Sequence, residues 1–113
     1  MNNDKNKRKA KRKDFFCETK VRFAGQAGYT TVTIKDISVL GLRVVIAGRF
    51  IKPGDILEIK TCINDREIQC KGKVTWVLML RPSLGKISVF DVGVEFFEMT
   101  AADREFLEKL IEK

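Results

Sequence analysis

An acid, a hydroxyl and a glycine stand close together at Asp36-Ile37-Ser38-Val39-Leu40-Gly41. Side chains two apart on a strand share a face. Asp36 and Ser38 would therefore present a hydrogen-bond acceptor beside a group that both donates and accepts. Gly41 removes a side chain where the backbone must bend or where something must come close. The same three residues also suit an ordinary turn, in which both polar side chains only tie down local backbone.

The charge upstream favours binding. The chain carries a formal net charge of +7. Residues 1–13 hold seven basic groups against one acid, Asp4, and so account for +6 of it. The remaining residues are nearly neutral. The charge that seeks a partner lies in this arm, and its natural ligand is anionic. Within the arm, Arg8-Lys9-Ala10-Lys11-Arg12 sets two arginines at R-x-x-x-R spacing, and 23 residues separate Arg12 from Asp36.

Catalytic chemistry finds little support. There is no histidine. The three cysteines, Cys17, Cys62 and Cys70, form no C-x-x-C pair, so a zinc site lacks its four ligands. A catalytic cysteine would lack its usual base. No phosphate-cradling glycine loop and no nucleophile elbow is present. We read a binding module and not an enzyme, with no catalytic residue, no metal and no cofactor. No apolar run is long enough to span a membrane. No apolar segment follows the basic N-terminus as a secretory signal requires. These features lead us to expect a cytoplasmic protein with no membrane contact.

Alternating apolar residues supply the elements that must position these groups. Thr19 to Ala24 reads as a first strand, and Tyr29 to Lys35 returns after the turn Gly25-Gln26-Ala27-Gly28. Leu42 to Ala47 follows the Asp36 stretch. Pro53-Gly54 fits the centre of a type II turn, and Ile56 to Ile63 is the next strand. Asn64-Asp65 turns the chain into a long strand in which Ile68, Cys70, Val74, Trp76, Leu78 and Leu80 share one face. Gly72 falls on that face as a bulge or bend. Lys86 to Phe97 holds the last strand. Thr100 is a good N-cap with Asp103 in the capping-box position. A helix over 101–112 then buries the stripe Phe106, Leu107, Leu110 and Ile111. Short strands followed by one helix point to a mostly β fold: a six-stranded antiparallel β-barrel with a C-terminal α-helix and a flexible basic N-terminal arm. The expected division is an arm at 1–13 and a single barrel domain at 14–113.

The order R-x-x-x-R, hairpin, D-x-S-x-x-G and hydrophobic strand resembles the PilZ domain, a family of bacterial receptors for cyclic di-GMP. The resemblance covers nearly the whole chain. It includes Pro53-Gly54-Asp55, Lys73-Val74-Thr75-Trp76, Val92-Gly93-Val94-Glu95-Phe96 and the terminal helix. It implies cyclic di-GMP as ligand and Arg8, Arg12, Asp36, Ser38 and Gly41 as the site. Gly93 and Gly41 would let the ligand approach the barrel wall. Lys7, just before the first arginine, stands where the family tunes whether one or two stacked nucleotides bind, and it implies two. The chemistry agrees. Arginine can fork onto a phosphate or onto the O6/N7 edge of guanine, whereas lysine offers only a point charge. Asp36 could accept from guanine N–H groups, and Ser38 could bond the base or hold the loop. We further expect an arm whose like charges keep it loose without ligand, and which orders on ligand and signals to a downstream protein partner. A monomer or weak dimer is expected. Two alternatives stay open: a nucleotide-blind adaptor acting through protein contacts, and a small barrel whose arm binds nucleic-acid phosphates nonspecifically.

Overall fold

A computed structural model describes residues 12–81 and 87–112. Six strands and one helix follow in order: β1 (Lys13–Phe23), β2 (Thr30–Ile37), β3 (Gly41–Ala47), β4 (Ile56–Ile63), β5 (Arg66–Arg81), β6 (Val89–Glu98) and α1 (Ala101–Glu112). The strands close into a barrel in the order β1-β2-β3-β6-β5-β4. Every neighbouring pair is antiparallel. The inward side chains follow the period of two. Val21 and Phe23, Val32 and Ile34, Leu42, Val44 and Ile46, and Leu57 and Ile59 are all buried in one core. Closure leaves most strands paired on both sides, which stabilises strands as short as these.

The turns form as their residues require. Asn64 and Asp65 both take positive φ, at 51° and 66°, in a two-residue hairpin between Ile63 and Arg66. Gly54 supplies φ 99° in the turn that Asp55 N–H closes onto the Lys52 carbonyl at 3.2 Å.

Two expectations need correcting. β1 begins at Lys13, six residues ahead of Thr19, because Asp14 and Lys13 already pair with Asp36 and Ile37 of β2. The long face expected on β5 breaks after Val74. Ile68, Cys70 and Val74 are buried, but Trp76, Leu78 and Leu80 are exposed. The register against β6 shifts between Val74 and Trp76, and a bulge of this kind reverses which side chains face the core. A further register shift falls between Lys71 and Gly72, where the glycine suggested one.

Helix α1 packs Leu107 and Ile111 into the core, with Phe106 and Leu110 half-buried against it. Thr100 caps it, its Oγ1 accepting from Asp103 N–H at 3.1 Å. The reciprocal half of a capping box is not made. The Asp103 carboxylate instead takes Nε and Nη2 of Arg66, at 3.2 and 2.9 Å, tying the helix to the start of β5. Lys13 Nζ donates to the Leu110 carbonyl at 3.3 Å, and Arg104 Nη1 to the Val39 carbonyl at 2.9 Å. The helix is thereby fastened to β1, to β5 and to the β2–β3 turn.

Burial separates the cysteines. It pushes the Cys70 thiol up to about 12 and also raises that of Cys17, whereas Cys62 is exposed. Thiolate is the reactive form. Alkylation of the folded protein near neutral pH should therefore label Cys62 first and Cys70 last. Mass spectrometry of a time course checks this, and equal rates at the two would mean that the barrel opens on the labelling timescale.

Candidate functional site

Asp36 sits near the end of β2, where unbroken alternation with Val32 and Ile34 would point it into the core. The register against β3 shifts between Ile34 and Asp36. Ile37 takes the inward position at 1% exposure, opposite buried Leu42. Asp36 is left on the outer face, directly across from Arg43. It is still only 8% exposed, because two guanidinium groups cover it. Arg12 Nη1 lies 3.0 Å from Oδ1, and Arg43 Nε lies 3.1 Å from Oδ2 in an ion pair not aligned as a hydrogen bond. Arg43 Nη1 reaches a second buried carboxylate, Asp91 Oδ2, at 3.5 Å. The result is a chain of alternating charge, Arg12–Asp36–Arg43–Asp91, running from the residue just before β1 across β2, β3 and β6. Asp91 Oδ1 is buried without a hydrogen-bond partner among the described residues, an unmet acceptor at the end of that chain.

Ser38 does not stand beside Asp36 as a second free polar group. It is 3% exposed, and its hydroxyl is engaged in the turn. Oγ accepts from Leu40 N–H at 3.1 Å and Gly41 N–H at 3.2 Å and donates to the Gly41 carbonyl at 3.4 Å. Ser38 N–H also donates to that carbonyl, at 2.8 Å. Of the two roles expected for Ser38, holding the loop is the one visible here. The turn is clamped from outside as well, because Phe96 N–H donates to the Leu40 carbonyl at 2.8 Å and Arg104 to that of Val39.

The two glycines admit the protein's own atoms. A Cβ at Gly41 would fall 2.0 Å from the Val94 carbonyl oxygen, which is backbone and has little room to yield. A Cβ at Gly93 would fall 2.1 Å from Trp76 Nε1. The Trp76 indole thus lies on Gly93 with 41% of the residue exposed. Cross-strand pairing sets Asp36, Arg43, Gly93 and Trp76 in one row over the outer wall. Asp14 of β1 continues the row beyond Asp36, and Arg12 joins it there through its ion pair with Asp36, at the end away from Trp76.

Of the expected site residues, Arg12 and Asp36 are in direct contact, and Ser38 and Gly41 build the adjoining turn. Gly93 floors Trp76. Arg8 and Lys7 lie outside the described residues, as does most of the expected basic arm. Arg43, Asp91 and Trp76 were not singled out in the sequence as site residues. Asp91 carries a signal that could have found it, being a lone acid in the apolar run Val89-Phe90-Asp91-Val92. Arg43 is the polar residue on the outward phase of β3. Trp76 gives no such signal, because the bulge beside it is not legible locally.

A family model described as PilZ domain matches residues 6–113. Solved structures with a similar fold include the Bacillus subtilis inhibitor of motility, MotI/DgrA (TM-score 0.77, 19% identity), which covers 93% of this chain and 49% of its own. The MrkH–c-di-GMP complex of K. pneumonia is also similar (TM-score 0.72, 17% identity), covering 93% of this chain and 51% of its own. The PilZ domain of CeSA from a cellulose-synthesizing bacterium matches at TM-score 0.59 and 15% identity, over 89% of this chain and 94% of its own. The chain spans about half the length of the first two proteins. No curated protein matches it.

The charge chain has a stability signature. Removing Arg43 strips one oxygen of Asp36 and the whole of Asp91 of their cation while both carboxylates stay buried. Arg43→Ala should cost about 1–3 kcal/mol in urea unfolding. Arg12→Ala removes a single pair and leaves Asp36 with Arg43 as its cation, so it should cost under about 1 kcal/mol. Equal costs would mean that Arg43 does not hold the two carboxylates.

Proposed function

The chain belongs to the PilZ domain family, and on that footing we propose that it is a receptor for cyclic di-GMP centred on the Arg12–Asp36 pair. The observation that carries the reading is that pair itself. It joins the two motif halves, 24 positions apart, at one point on the barrel wall. Arg12 forks onto a phosphate or a guanine edge, and Asp36 accepts from guanine N–H groups. Ser38 and Gly41 keep the turn in shape beneath the ligand, and the exposed face of Trp76 offers an apolar surface at the other end of the row. Lys7 and Arg8 complete the proposed contact set, and Gly93 serves it by seating the Trp76 indole. The MrkH structure, with a similar fold, is a complex with this nucleotide, which supports the ligand assignment.

Charge divides the work. Arg12 and Arg43 are balanced by Asp36 and Asp91, so these four groups sum to zero. A ligand with two phosphates needs further cations, and residues 1–11 carry them. On this reading the nucleotide draws Arg8 toward the wall where Arg12 is already held, and the arm then presents a changed surface to a downstream protein. The protein acts by binding and not by catalysis. Among the described residues no helix is long and apolar enough to cross a membrane.

Calorimetric titration of cyclic di-GMP at near-physiological salt tests the site. Wild type should bind, Arg8→Ala and Arg12→Ala should each lose at least about tenfold in affinity, and Lys9→Ala should stay close to wild type. No binding by wild type, confirmed by an orthogonal assay, would favour the nucleotide-blind adaptor. NMR of the arm tests the second step: residues 5–11 should leave random-coil shifts at saturating ligand, and unchanged shifts would sink the ordering mechanism.

A further inference from the structure

Strand β5 outruns its partner. β4 covers it only from Arg66 to Lys73. Val74 is then held by the preceding loop, its N–H donating to the Asp55 carbonyl and its carbonyl accepting from Gly54 N–H, both at 2.8 Å. Beyond Val74, β5 pairs with β6 on one side, and no described residue pairs with its other side. This stretch is apolar on both faces. Trp76, Leu78 and Leu80 are 41%, 58% and 47% exposed, and Met79 on the alternate phase is 50% exposed. Phe50 and Ile87 extend the apolar surface beside Met79.

An open apolar edge is a template for another strand, and proteins ordinarily guard such edges with charge or proline. Val74 to Leu80 contains neither. We propose that the free edge of β5 is a homodimer interface, in which Trp76–Leu80 pairs antiparallel with the same residues of a second copy. A strand added here must be apolar on both faces, and an uncharged edge offers nothing by which to select a charged partner. The chain's own segment meets that requirement. Antiparallel pairing about Leu78 sets Trp76 opposite Leu80 and Val77 opposite Met79, so aromatic meets aliphatic across the twofold axis. The positive charge of the chain does not oppose this contact, because +6 of it lies in residues 1–13. Register shifts between Val74 and Trp76 and between Met79 and Arg81 bracket the regular run. The added ladder is therefore short, and the dimer should form in a concentration-dependent way. This inference does not depend on the nucleotide.

Sedimentation velocity of the full chain over a wide concentration range tests it. The wild-type mass should rise from 12.9 kDa toward twice that value. Leu78→Lys places a charge on an already exposed position and should stay monomeric with an unchanged circular dichroism spectrum. Leu80→Lys should do the same and stands in if Leu78→Lys fails to fold. Phe97→Lys, exposed elsewhere on β6, should behave as wild type. Hydrogen exchange at residues 76–79 should slow with concentration in wild type alone. A wild type that stays monomeric throughout, or association that survives the edge lysines, overturns the proposal, including the case in which the edge serves a different protein.

Discussion

Asp36 lies on the outer side of the barrel wall only because β2 slips register before it. In an unbroken strand, a carboxylate in phase with Val32 and Ile34 would enter the core, where an unpaired charge is costly. The irregularity between Ile34 and Asp36 turns Ile37 inward instead and sets the carboxylate across from Arg43. The outer charge chain depends on that slip, because Arg43 can bridge Asp36 and Asp91 only when all three share a face. So does the seat of Arg12, since Asp36 is the acceptor that holds it.

Around that point the barrel is built for rigidity. The turn after β2 is held from within by the Ser38 hydroxyl, from the side by Phe96 N–H, and from the helix by Arg104. Gly41 lets the strand come close enough to the Val94 carbonyl for β3 and β6 to meet. Helix α1 therefore does more than cover the core. Its contacts to β1, β5 and the turn connect the site to the far end of the chain. Pre-organisation of this kind lowers the ordering cost that a ligand must meet.

The distribution of charge complements the distribution of stiffness. The four groups fixed on the wall cancel, so they shape the site without strongly attracting an anion. The long-range attraction belongs to residues 1–13. If the chain binds the nucleotide as proposed, geometry on the wall and charge in the arm would let selectivity and association rate be tuned separately, the second being sensitive to salt.

The strand alternation, the turn residues and the cap before α1 were each readable locally, because each depends on neighbours a few residues away. The β class, the helix at 101–112 and the separation of a basic arm from a neutral body all follow from such patterns. The motif halves were readable too, as residue types at fixed spacing. The register irregularities were not, and they decide the most. One shift, between Ile34 and Asp36, turns Asp36 to the outer face, and a separate one, between Val74 and Trp76, brings Trp76, Leu78 and Leu80 out of a face that alternation assigns to the core. Arg43 and Asp91 join the site only through cross-strand pairing, and Ser38 becomes a turn clamp only when Gly41 folds back on it. The sequence by itself determined which elements form and which residue types are available for binding. Tertiary structure decided which side of the wall each residue faces, because a bulge depends on how two distant strands align.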